Sequence, residues 1–298
     1  MIEINGITKT FGKNYALRDM NCKIDSGSVF GLIGSNGAGK STLLRIIAGV
    51  YKPDQGSVTI DGEKIFENIR TKNRIFFVGD TPYYFQQATL YDMAKFYACI
   101  YSRWSEKRFT ELLTVFPIDP KMKVAHMSKG MQRQCMLMLA LASSPDILLL
   151  DEAFDGLDPV IRQLVKKMLS TMVLDNATVI IASHNLRELE DLCDHVGLLH
   201  LGGVVFEREL DSAKIGIYKL QAAFATLPSP DMLSGLDIIK METKGSVVSL
   251  MARGDKDQIL AEIDKLEPLF SELLPLTLEE VFIHEMEAIG YDFSNLLH

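Results

Sequence analysis

The chain has 298 residues, 47% apolar and 23% charged, with a formal net charge of −8. That length allows one large or two ordinary domains with a proper core, and no apolar run approaches the roughly 20 residues that span a bilayer, so the composition is that of a soluble globular protein. Cys22, Cys99, Cys135 and Cys193 lack C-x-x-C spacing and read as reduced thiols of a cytosolic protein, not as a disulfide frame.

In chain order, Met1-Ile2-Glu3-Ile4-Asn5 has neither the basic nor the apolar character of a signal peptide. Ser28-Val29-Phe30-Gly31-Leu32-Ile33 is a short apolar run that predicts a buried strand. It leads into Gly34-Ser35-Asn36-Gly37-Ala38-Gly39-Lys40-Ser41, a G-x-x-x-x-G-K-S phosphate-binding loop. Glycine lets the backbone wrap closely around phosphate oxygens with its N–H groups inward. Lys40 supplies a cation for the β- and γ-phosphates and the Ser41 hydroxyl a ligand for Mg²⁺. Thr42 to Ala48 predicts a helix stopped by Gly49, so strand, loop and helix N-terminus form an anion site.

Ser57–Ile60 followed by Asp61-Gly62 predicts a hairpin. From about Thr89 to Ser144 helical patterns dominate, with Tyr91, Ala94, Phe96, Tyr97 and Ile100 as one apolar stripe and Phe109, Leu112, Leu113 and Phe116 as another. Tyr83-Tyr84-Phe85 borders this region and suits either a docking groove or core packing. Ser128 is a good N-cap for the long apolar helix through Ala142, and Gly130 permits close backbone approach to a ligand. Ile147-Leu148-Leu149-Leu150-Asp151-Glu152 is a buried strand ending in two carboxylates. Asp151 is placed to hold Mg²⁺, directly or through water, and Glu152 to take a proton from a water attacking the γ-phosphate. Asp155-Gly156-Leu157-Asp158-Pro159 turns into another helix, and Thr178–Ser183 is a β-rich run ending in His184.

In this order the segments resemble the ATP-binding cassette (ABC) family of transporter ATPases over about residues 1–210. The resemblance implies an α/β P-loop NTPase cassette with a mixed sheet core, an antiparallel β subdomain and a helical subdomain at about 86–144. It implies that Lys40, Ser41, Asp151, Glu152 and His184 hold and hydrolyse ATP, with the loop from Gly34 to Thr42, Asp80 and Asp158 also at the nucleotide. Ser128 and Gly130 would contact the γ-phosphate of ATP on a second copy. Phe11 stands where the family stacks an aromatic ring on adenine, and is otherwise a core neighbour of Ile7. Three departures stand out: Met127-Ser128-Lys129-Gly130-Met131 for the usual Leu-Ser-Gly-Gly-Gln, Asp80 for the usual Gln, and Ala153 for Pro. Ionised Asp80 accepts but cannot donate, and can approach Mg²⁺ or a water. Such variants, with Leu276–Phe282, look like bacterial exporter subunits, including antibiotic and lantibiotic systems.

The implied cofactors are ATP and Mg²⁺. The implied partners are a separate integral membrane permease and a second ATP-binding subunit, as a homodimer. The implied place is the cytoplasm, peripheral at the inner face of the cell membrane. A soluble regulatory ABC ATPase without a permease is the alternative. The double cassettes of translation-type relatives and the coiled-coil insertion of repair-type ones do not occur in these 298 residues.

Domains are expected at 1–212 and 213–298, the second a small αβ region. Residues 1–204 carry 23 Lys and Arg against 22 Asp and Glu, whereas 205–298 carry 8 against 17. An acidic end argues against a nucleic-acid partner. Strands are predicted at Ile217–Ala225, Ile238–Thr243 and Val247–Ala252, and a helix near Lys256–Leu266. Thr277-x-x-Glu280 is a capping box for a last helix with Leu278, Val281, Phe282, Met286 and Ile289 on one face and Gly290 beyond.

Overall fold

A computed structural model describes residues 1–209, 217–274 and 276–288, with 205, 206, 208, 209, 230, 231 and 284–288 described by backbone alone. The chain forms two compact units, Met1–Arg208 and Glu209–His298. The expected boundary at 212/213 lies outside the described residues.

The first unit holds two sheets. An antiparallel sheet has the order β2 (Asn14–Ile24), β1 (Ile2–Phe11), β4 (Gln55–Ile60), β5 (Glu63–Lys64). The β4–β5 hairpin turns on Asp61 and Gly62, both at positive φ, as a two-residue primed turn requires. The second sheet has the order β10 (Gly203–Glu209), β9 (His195–His200), β3 (Val29–Ile33), β8 (Thr178–Ala182), β7 (Ile147–Asp151), β6 (Ile75–Val78). Strands β9, β3, β8, β7 and β6 run parallel. Every residue of β3, β7 and β8 is buried, which is why they read as continuous apolar runs and not as alternation. Helix α1 (Lys40–Ile47) lies between the sheets: Leu43, Leu44 and Ile47 share one core with Ile4 and Ile24 of the first sheet and Leu149 and Ile180 of the second. All the parallel strands end at one edge, and the loops leaving β3, β6, β7 and β8 meet there.

The short α2 (Ile69–Lys72) precedes β6, and between β6 and β7 stand α3 (Leu90–Ile100), α4 (Glu106–Val115) and α5 (Lys129–Ser143). Each of these three starts on a side-chain cap: Thr89 with Asp92 as a reciprocal capping box, Ser105, and Ser128. The second apolar stripe holds, with Phe109, Leu112 and Phe116 buried. The first does not: α3 buries Leu90, Met93 and Ala94, while Tyr91, Phe96 and Ile100 are exposed. This helix is apolar nearly all round, so its period alone does not choose a face. After β7 come α6 (Pro159–Leu174) and, after β8, α7 (Leu186–Glu190).

In the second unit β11 (Ile217–Ala223), β12 (Asp237–Lys244), β13 (Val247–Arg253) and β14 (Phe270–Leu274) form an antiparallel sheet ordered β12-β13-β11-β14. Helix α8 (Lys256–Asp264) joins β13 to β14, and the 3-10 turn Pro230–Leu233 stands between β11 and β12. This is the split-βαβ order with its first helix reduced to a turn. Leu220, Ala222, Leu250, Ala252, Ile259 and Ile263 form the core on the α8 side. On the opposite face Met251 packs with Leu276 and Val281, the latter on α9 (Leu278–Ala288). Ile289 and Gly290 lie outside the described residues. Cys22, Cys135 and Cys193 are buried and Cys99 is exposed; all four are free thiols.

Candidate functional site

The phosphate loop leaves β3 at the centre of the sheet and turns into α1. Gly39 has φ 106°, and a Cβ there would meet the Ala16 carbonyl oxygen at 2.4 Å, so only glycine fits. No side chain caps the N-terminus of α1. Its first N–H groups therefore point into the loop with the positive end of the helix dipole behind them. Lys40 is buried and its Nζ donates to the carbonyls of Gly34 at 2.6 Å and Ser35 at 3.3 Å. Burial pulls its pKa below the ordinary lysine value, opposed by the carboxylates of Glu152 and Asp151. A cation held on loop carbonyls is ready to exchange them for phosphate oxygens.

Ser41, one residue into α1, donates its hydroxyl to Asp151 Oδ1 at 2.9 Å. Asp151 ends β7 and is fully buried, and its Oδ2 has no hydrogen-bond partner. Burial pushes its pKa up, the Ser41 hydroxyl pulls it back, and nearby Asp80 pushes it further up. A buried carboxylate oxygen left without a partner beside a serine hydroxyl is a hard-oxygen donor set that suits Mg²⁺.

Glu152 follows with φ 50°, in the left-handed region that non-glycine residues rarely adopt. That turn carries its carboxylate to His184 at the end of β8, with Oε2–Nδ1 2.8 Å. His184 is exposed, and the Asp155 carboxylate lies within 4.8 Å of both partners' ligand atoms. Asp80, in the loop after β6, lines the phosphate pocket with residues 36–42 and Glu152. Its Oδ1 is paired with Arg45 Nη2 at 2.9 Å. Asp80 is thus a carboxylate tied to α1, not a free ligand arm.

The other expected residues lie as follows. Ser128 caps α5, accepting from Met131 N at 3.3 Å, and is exposed. Gly130 presses on the turn before α6: a Cβ there would sit 2.5 Å from the Gly156 carbonyl oxygen. Its close approach is to the chain's own backbone. Asp158 caps α6, accepting from the N–H groups of Val160 and Ile161 at 3.0 Å each. Phe11 is exposed at the end of β1, edge-on to Tyr51 with centroids 5.6 Å apart, so it is not a core residue.

Sequence reasoning passed over four charged residues that organise these loops. Arg45 holds Asp80, and Arg133 bonds the carbonyls of Asp155 and, at 3.4 Å, Asp80. Arg162 and buried Glu188 pair at 3.3 Å behind His184. The one local signal was their place on helices one to two turns from a motif residue.

A glycine-lined anion loop, an acidic strand end and a histidine on the neighbouring strand define a P-loop nucleoside triphosphatase. The ABC transporter family model matches residues 17–155. The chain is 29% identical to the ABC transporter ATP-binding protein YtrB of Bacillus subtilis over 95% of its own length and 97% of the relative's. It is 31% identical to the lantibiotic transport ATP-binding protein SrtF of Streptococcus pyogenes, covering 72% of this chain and 93% of that one. A solved structure of an ATP-binding subunit of an ABC transporter matches 72% of this chain and 92% of its own, with a TM-score of 0.67 and 27% identity. A dimeric cassette in a post-hydrolysis state with bound ADP and Pi matches 70% of this chain and 99% of its own, with a TM-score of 0.64 and 26% identity. The chain belongs to the ABC transporter ATP-binding proteins, and its first unit is an ABC ATPase cassette.

Proposed function

We propose that this chain hydrolyses ATP as one of two identical subunits that drive a separate membrane permease, for export. The observation that carries the reading is the meeting of Ser41, Asp151, Glu152 and His184 around the phosphate loop, with one buried Asp151 oxygen unpartnered. The loop from Gly34 to Thr42 cradles the phosphates, Lys40 neutralises them, and Phe11 stacks on adenine. Ser41 and Asp151 would hold Mg²⁺, with Asp80 lining the same pocket. Bound there, the metal would supply charge neutralisation at the phosphates. Glu152 takes the proton of the attacking water, and His184, held on Glu152, contacts the γ-phosphate.

Ser128 and Gly130 serve the nucleotide of a second copy, and Asp158 stands at the same seam. The dimeric assembly of the matched cassette supports this arrangement. Among the described residues no helix is long and apolar enough to cross a membrane. Tyr83, Phe85 and Phe96 form an exposed aromatic cluster beside the Asp80 loop, which suits a docking helix of the permease at the cytoplasmic face. Relatives named for lantibiotic and bacitracin transport and for Nod factor export support an exporter. No nucleic-acid partner is proposed.

Affinity purification from membranes tests the assembly. Recovery of a multi-span chain with two copies of this one is expected; recovery of this chain alone would favour a soluble ATPase.

A further inference from the structure

The exposed side chain of His184 has little packing to fix it, yet it meets Glu152 at 2.8 Å. What fixes it lies on either side in the chain. Ser183 Oγ donates to Glu188 Oε2 at 3.2 Å, and Asn185 Nδ2 donates to Glu188 Oε1 at 3.0 Å. Ser183 Oγ also accepts from Asn185 N at 3.0 Å, closing the loop around His184. One buried carboxylate thus pins both neighbours of the histidine.

Glu188 is only 4% exposed, and a charge at that depth requires a partner. Arg162 Nη1 supplies it at 3.3 Å. The same guanidinium, through Nη2, reaches the Leu157 carbonyl at 3.5 Å, while its buried Nε has no partner. Leu157 belongs to the turn that carries Asp155 and that Gly130 abuts. The pair therefore joins that turn to the loop of His184 through the buried Glu188 and the half-buried Arg162.

We propose that Glu188, held by Arg162, is a positioning residue that sets His184 against Glu152 and links that contact to the turn at residues 155–158. This rests on the reading that Glu152 and His184 act in hydrolysis. A displacement of the turn moves Arg162, which moves Glu188 and with it both flanks of the histidine. Neither residue lines the phosphate pocket.

The test uses the full-length chain with Glu188→Gln, Arg162→Met, the double variant and His184→Ala, assayed for Mg²⁺-ATP turnover and, by ¹⁵N-histidine NMR, for the His184 ring signals. Each single variant is expected to lower kcat by about 10- to 100-fold with an unchanged KM for ATP, the scale of a misplacement near 1 Å. The His184 signals should shift in both. The double variant should recover part of the loss relative to Arg162→Met, because removing both charges no longer leaves the buried Glu188 carboxylate unpaired. Normal kcat and unmoved signals in the single variants, with His184→Ala impaired, would overturn the positioning role alone. A fall in melting temperature without a fall in kcat would overturn it too, by making the pair merely structural. Full turnover in His184→Ala would remove the underlying reading and the proposal together. Should Glu188→Gln not fold, Arg162→Met and the double variant decide the same question.

Discussion

Asp151 and Glu280 are carboxylates in the two units, and the fold treats them oppositely. Asp151 is fully buried with one hydroxyl partner and one bare oxygen, and burial pushes its pKa up. Glu280 is partly buried with both oxygens engaged. Oε1 meets Lys219 Nζ at 2.6 Å, and Oε2 accepts from the Thr277 hydroxyl and backbone N–H, each at 3.0 Å. Its burial alone would raise its pKa, but those donors hold it below the usual glutamate value. The first unit leaves a charge under-satisfied where a ligand must finish the job; the second satisfies its charge internally. An incomplete hydrogen-bond set, more than acidity, marks the working end of the molecule.

The largest expected effect breaks the working end at its chemistry. Glu152→Gln should keep nucleotide binding while slowing hydrolysis by on the order of 10²–10⁴, the general-base contribution. Single-turnover assays and ATP titration calorimetry read the two quantities separately, and wild-type turnover would remove Glu152 from that role. Next comes Gly130→Ala. Its methyl group would stand 2.5 Å from a backbone oxygen, so the turn at Gly156 must move. A stability loss of about 1–3 kcal/mol is expected by urea unfolding, with reduced turnover. An unchanged urea midpoint would mean that this contact yields freely.

Asp151→Asn sharpens the contrast itself. Asn keeps an acceptor for Ser41 but removes the buried charge, so the ligand-free protein should be no less stable than wild type. The gain from Mg²⁺-ATP, about 2.7 kcal/mol at a hundredfold excess over Kd, should vanish in the variant. Melting curves with and without Mg²⁺-ATP check both halves. A destabilised ligand-free variant would show that the charge is structural, like that of Glu280.

The phosphate loop, β7, β8 and the caps at Thr277 and Ser128 were legible in the sequence because each is written in a few adjacent residues. Glycine spacing, an apolar run ending in acid, or Ser before a helix each carries its own geometry. Pairings across the chain were not. Arg45 with Asp80 and Arg162 with Glu188 lie 35 and 26 residues apart, and nothing local distinguishes those arginines from solvated ones. The buried face of α3 was misread because apolar residues surround the helix. Strand β14 passed unnoticed because its apolar residues, Phe270, Leu273 and Leu274, do not alternate regularly. Local chemistry names a site's ligands; tertiary contacts set the charges that aim them.

Glu280→Gln is the gentlest break and tests the satisfied half of the comparison. Glutamine keeps one oxygen acceptor for the Thr277 cap but loses the attraction to Lys219, so the cost near pH 7 should be about 1–2 kcal/mol. The folded-state pKa of Glu280 lies below the ordinary glutamate value. Its stabilisation is therefore full above that value and lost as pH falls through the lower, folded one. Urea midpoints of wild type and variant should differ at pH 7 and draw together as pH drops below about 4.5. A gap that persists unchanged at acid pH would assign the loss to packing rather than charge. The ion pair would then be incidental to the hold of α9 on its sheet.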